Sequence, residues 1–174
     1  MRNFTQGILF ALLIAFPTFT KAQLISRDSS FNVNGSMLFQ FYGNIDRGFD
    51  CAVQQDQKML LVGLSKNTGT NYFEMCIARF NTDGSFDTTF SHDGKAYVSM
   101  GNQSSIGGIL PSIKIDANQK IVVAGSGRGQ SSQDFLIARL NSNGTPDLTF
   151  NGTGSKFIDI LGTNTQPDAA AAFN

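Results

Sequence analysis

A fourteen-residue phrase occurs twice in this chain, sixty positions apart. Ile77-Ala78-Arg79-Phe80-Asn81-Thr82-Asp83-Gly84-Ser85-Phe86-Asp87-Thr88-Thr89-Phe90 is echoed by Ile137-Ala138-Arg139-Leu140-Asn141-Ser142-Asn143-Gly144-Thr145-Pro146-Asp147-Leu148-Thr149-Phe150. A period of that length in β-rich sequence marks supersecondary units, each needing a neighbour to bury its apolar faces. The period constrains architecture far more than activity.

Each unit reads as four extended segments. The first is Met37 to Phe41, matched by Lys95 to Met100 and Lys156 to Leu161. The second is Cys51 to Gln54, matched by Ile113 to Asp116, and a tight connection follows. The third, Lys58 to Gly63 or Lys120 to Gly125, is a run of aliphatic residues that predicts a strand buried on both faces. The fourth is Glu74 to Phe80, matched by Asp134 to Leu140. The stretch between third and fourth has ten residues from Leu64 to Phe73 but eight from Ser126 to Gln133, as suits a surface loop. Gly84 and Gly144 close each unit in turns that need positive φ.

No stretch after the first residues keeps an apolar 3.6 period. The expected fold is therefore all-β, with β-propeller-type blades of about four antiparallel strands, since solenoid coils are shorter. The blades are expected at about 31–87 and 88–147, with a partial one at 148–174, after a short lead at 23–30. A closed ring needs at least four blades. The ring is thus incomplete here, and further blades are expected in the same longer chain, with self-assembly of a short chain as the alternative.

Lys120-Ile121-Val122-Val123-Ala124-Gly125, Ile137-Ala138-Arg139-Leu140-Asn141 and Asp87-Thr88-Thr89-Phe90 before Gly94-Lys95 resemble the delta-60 repeat. That family implies β-propellers in exported bacterial proteins and no agreed catalytic residues. Its members carry Asp-Gly-Lys in the second-to-third connection. Gln57 and Gln119 stand in place of that glycine, which argues against a positive-φ turn there.

The first 22 residues read as a signal peptide. Arg2 is followed by an apolar run from Gly7 to Phe16, too short to span a bilayer, and Thr20-Lys21-Ala22 offers a cleavage site before Gln23. The mature protein is expected to be secreted or held at the cell surface, with no transmembrane segment after the leader. Of thirteen basic residues, loss of Arg2 and Lys21 leaves eleven against thirteen acidic ones. A chain so nearly neutral has no electrostatic footprint for nucleic acid. Cys51 aligns with Ile113 and Cys76 with Leu136, so both read as buried thiols in apolar positions, although the compartment would permit a bridge.

Candidate chemistry is sparse. His92, the single histidine, reads as an exposed loop residue rather than a general base beside Asp93. Glu74 is the only glutamate, no Gly-x-Ser-x-Gly elbow is present, and histidine-based zinc sites lack ligands. Gly125 to Gly129 resembles a phosphate cradle but leads into a strand, so it reads as a surface hairpin loop. The 81–87 turn has the alternating oxygens of a calcium loop, yet its copy at 141–147 loses the carboxylate at Asn143. No cofactor is expected, and calcium is the one ion with a partial ligand pattern. Arg79 and Arg139 each precede an aspartate, Asp87 or Asp147, by eight residues, with Phe90 or Phe150 three further on. They read as a recurring clamp fixing the turn into the next blade, in preference to a ligand site. No catalytic residue is identified. The expected role is a non-enzymatic binding or scaffold module for a protein or glycan, the alternative being a hydrolase or lyase whose site lies in the channel of a longer propeller.

Overall fold

The computed structural model describes residues 26–43, 45–104, 110–128 and 133–159. The leader and the end of the third unit, Ala171 to Asn174 included, lie outside the described residues. Eight strands follow one another: β1 (Asp46–Val53), β2 (Met59–Lys66), β3 (Phe73–Phe80), β4 (Lys95–Ser99), β5 (Ser112–Ile115), β6 (Ile121–Arg128), β7 (Gln133–Leu140) and β8 (Ser155–Ile158). They form two four-stranded sheets in the orders β1-β2-β3-β4 and β5-β6-β7-β8, antiparallel throughout and not closed into a ring.

The sheets are out of phase with the sequence units. Lys95–Ser99 opens the second unit in sequence, but it pairs with β3, Ile77 facing Ala96 and Cys76 facing Tyr97. Ser155–Ile158 likewise closes the second sheet. Each blade therefore takes three strands from one unit and its outermost strand from the next. Met37 to Phe41, expected as a strand, is not one here, because no three-stranded sheet is present for it to complete. The strands also outrun their expected ends. β2 continues to Lys66 and β6 to Arg128, which shortens the loop between the third and fourth segments.

Alternation builds the core between the sheets. Leu60, Val62, Leu64, Met75 and Ile77 of the first sheet meet Ile113, Ile121, Val123, Leu136, Ala138 and Leu140 of the second in one buried cluster. Burying each such side chain contributes roughly 1.5–3 kcal/mol. β2 begins in alternation and is buried on both faces only from Val62 to Ser65. Cys76 is buried as expected, but Cys51 is exposed, and both thiols are free. Its counterpart Ile113 is buried because the first sheet covers it; no sheet among the described residues covers Cys51 in that way.

Gly125 to Arg128 lie in β6 rather than in a hairpin loop. A Cβ at Gly127 would stand 2.9 Å from the Met100 carbonyl oxygen, which accepts a bond from the Arg128 amide at 2.8 Å. Gly127 thus lets the connection between blades pass close to β6, and Gly129 lies outside the described residues. The β1–β2 and β5–β6 turns also depart from expectation. Gln57 and Gln119 adopt φ of 66° and 61° without glycine, each donating its amide to the carbonyl three residues back. A side chain in that region is strained by about 1 kcal/mol. Gln57→Gly and Gln119→Gly should therefore each stabilise the fold by about 0.5 kcal/mol once glycine's extra unfolded-state entropy is subtracted, read by urea unfolding.

Candidate functional site

The densest polar constellation sits where each third strand of a sheet ends. The backbone brings Arg79 and Asp87 together, since the Asp87 amide donates to the Arg79 carbonyl at 3.0 Å, while the Arg79 amide donates to the Gly94 carbonyl at 2.9 Å. The Arg79 guanidinium then lies with Nε 2.8 Å from Asp87 Oδ2 and donates from its NH2 to Thr89 Oγ1 at 3.1 Å. Its Cζ stacks 4.7 Å from the Phe90 ring centroid. The same arm donates to Gln54 Oε1 at 3.2 Å and to the Ser142 carbonyl of the second blade. Arg79 therefore ties its own strand end, the 87–90 turn and the next blade into one unit.

The second copy has the same core. Arg139 Nε is 2.8 Å from Asp147 Oδ2, its NH2 donates to Thr149 Oγ1 at 3.0 Å, and its Cζ lies 5.2 Å from the Phe150 centroid. Burial separates the two. The Arg79 side chain is 7% exposed and that of Arg139 31%, because the blade that would supply a carbonyl like Ser142's is not among the described residues.

Each aspartate is held anionic. Burial alone would raise the Asp87 carboxyl, but the Lys58 ammonium at 2.8 Å, the Thr89 hydroxyl and amide, and the Arg79 charge outweigh it and hold it well below the carboxylate range. Asp147 is lowered from 3.8 to about 2, first by the Thr149 hydroxyl and, against some burial, by the Thr149 amide, Lys120 and Arg139. Gly84 and Gly144, with φ of 82° and 87°, complete the clamp. A Cβ on Gly144 would meet the Phe90 ring at 2.8 Å, so a side chain there would push the blades apart.

The remaining candidates do not join a site. His92 is exposed, with φ of 76°, in the turn before β4. Among the described residues no group of three metal-binding side chains comes together. The 81–87 turn does not fit calcium: Asp83 Oδ1 accepts from the Ser85 amide and hydroxyl at 2.9 and 2.7 Å, and Asp87 faces two cations. Glu74 accepts a bond from the Tyr42 hydroxyl at 2.6 Å.

Two features escaped the sequence reading. One is a cleft of about 680 Å³ between the blades, lined by Gln54, Gln55 and Asp56 from the first and by Gln119, Ser142 and Asn143 from the second. Lys58, Arg79 and Thr89 also line it, and both cations are paired, Lys58 with Asp56 and Asp87 and Arg79 with Asp87, so the cleft is rich in amides and its charges are compensated. The other is a third copy of the aspartate turn, Asp28-Ser29-Ser30-Phe31, which repeats Asp87-Thr88-Thr89-Phe90. Ser30 bonds Asp28 Oδ1 through its amide at 2.9 Å and its hydroxyl at 2.6 Å, as Thr89 bonds Asp87. The spacing of aspartate, hydroxyl and phenylalanine was the available signal.

Residues 54–90 and 117–150 match a beta-propeller domain of unknown function, DUF5122. Two propeller blades make up the described chain. Each matched segment contains one complete clamp, from Lys58 to Phe90 and from Lys120 to Phe150. The match supports the propeller and does not carry the delta-60 name. No curated protein and no solved structure matches.

Two outcomes follow from the clamp. Arg79→Ala strips a partner from a buried ion pair and should cost about 3 kcal/mol, whereas the half-open Arg139→Ala should cost about 1 kcal/mol, both by denaturant unfolding. Equal losses would show that the contact to the second blade contributes nothing. Because Asp87 and Asp147 have lowered folded-state values, the stability they confer is complete above the unfolded value of 3.8 and is lost as pH falls, toward about 2 for Asp147 and lower still for Asp87. Thermal melts of the parent should therefore decline below about pH 4, and Asp87→Asn should make that decline shallower while lowering the neutral-pH midpoint.

Proposed function

We propose that this chain is an exported, non-enzymatic propeller module that binds an uncharged, polyhydroxylated ligand, a glycan, in the cleft between its blades. The carrying observation is the composition of that cleft: it is lined by primary amides and hydroxyls, and its two cations, Lys58 and Arg79, are already paired with Asp56 and Asp87. Amide side chains offer both donors and acceptors, the chemistry that pairs with sugar hydroxyls. Cations already paired with carboxylates give little preference to a charged ligand. Rigid blades presenting loop residues are a common basis for recognition. The leader-like first 22 residues support export.

Gln55 is exposed and outside the clamp, so it can be changed without disturbing the fold. Titration of neutral oligosaccharides into the mature protein should shift NMR signals from Gln54, Gln55, Gln119 and Asn143. Gln55→Ala should weaken binding about tenfold while the melting temperature stays put. Absence of any cleft perturbation at millimolar sugar would exclude the glycan reading. Recovery of the protein from the cytoplasm with residues 1–22 intact would exclude export.

A further inference from the structure

The N-terminal segment is a displaced copy of the element that joins one blade to the next. Its turn follows the other two atom by atom. Asn32, Val33 and Gly35 have φ of 46°, 66° and 75°; Ser91, His92 and Gly94 have 50°, 76° and 85°; Asn151, Gly152 and Gly154 have 52°, 71° and 83°. The Gly35 amide donates to the Phe31 carbonyl at 2.7 Å, as Gly94 does to Phe90 at 2.7 Å and Gly154 to Phe150 at 2.8 Å. A β-branched residue such as Val33 adopts positive φ rarely, so this conformation is imposed by docking.

The docking is also the same. The Asn32 amide donates to the Asp83 carbonyl at 2.8 Å, as the Ser91 amide donates to Asn143 at 2.8 Å in the next blade. Beyond the turn, Met37, Phe39 and Phe41 point inward while Leu38 and Gln40 point out. In register they correspond to Ala96, Val98 and Met100, which face the second sheet. Phe39 packs edge-on against Phe80 and Phe86 at 5.2 and 5.4 Å, covering the outer face of the first sheet. The segment thus occupies the place of an outermost strand of a blade preceding the first sheet. Two things that accompany it elsewhere are missing among the described residues: the third strand that β4 and β8 pair with, and the arginine that Asp87 and Asp147 hold. Asp28 is exposed, with Ser30 as its only bonding partner shown.

We infer that Asp28 to Phe41 is a closing strand, which completes a three-stranded blade from a further repeat unit of the same protein and receives that unit's clamp arginine on Asp28. A second copy of the chain does not fit. Both of its sheets already have four strands, and both clamp arginines already hold an aspartate. The partner must carry a third strand ending in an arginine at the position of Arg79, with no aspartate turn of its own behind it. The inference rests on the fold and is independent of the glycan reading.

Hydrogen exchange on the protein purified from the cells that make it tests this. Alternate amides in Met37 to Phe41 should be slowed by a factor on the order of 100 relative to the chain of residues 23–174 made alone. Protection should not depend on protein concentration. Asp28→Asn should reduce it about tenfold in the purified protein, and leave the melting temperature of the chain made alone unchanged. Unprotected amides, protection indifferent to Asp28→Asn, or protection that grows with concentration would each overturn the inference, the last by making a second copy the partner.

Discussion

The Arg79 guanidinium, paired with Asp87 in its own unit and bonded to the Ser142 carbonyl of the next blade, helps to hold the two blades in one arrangement. A guanidinium buried between sheets is costly unless it is paired, and here it faces the Asp87 carboxylate and donates to a hydroxyl, a side-chain amide oxygen and a carbonyl of the next blade. The Phe90 ring beneath it is clamped in turn between the guanidinium and Gly144. One residue therefore couples the end of a strand, the turn into the next blade and the surface that the next blade presents. Arg139 shows the same device half-engaged, with the core of the clamp formed and its outer side open.

That arrangement explains why the sheets run out of phase with the repeat. Asp87 lies between β3 and β4, so the clamp sits at the point where the chain leaves a blade's third strand and returns as its outermost one. Blades built this way interlock covalently, each sharing a unit with its neighbour. Such coupling suits a rigid scaffold, in which each interface carries the apolar area of the next. It also places a polar cleft beside the Arg79 clamp, where the turns of the two blades meet.

Much of this was legible in the residues. The repeat carried the strand content, the order of segments and the pairing of Arg79 with Asp87 and Arg139 with Asp147, because identical local chemistry at a fixed spacing marks identical local geometry. Positive φ at Gly84 and Gly144 was legible for the same reason. Gln57 and Gln119 were misread, since tertiary context overrides the preference for glycine in a left-handed turn. Cys51 was misread because its exposure depends on what lies over the sheet, which its own strand does not encode.

The amino-acid sequence alone determined that the chain is all-β and repeated, and which side chains recur in each unit. Periodicity and turn chemistry are local properties, so they survive being read one residue at a time. Only the tertiary structure decided where a blade begins and ends, because a repeat has no intrinsic phase and hydrogen bonding between strands selects one. It alone showed that the Arg79 clamp reaches across to Ser142, and that Asp28 has the turn of a clamp aspartate with no arginine upon it among the described residues. Those differences come from neighbours in space, and two copies of one motif cannot display them in sequence.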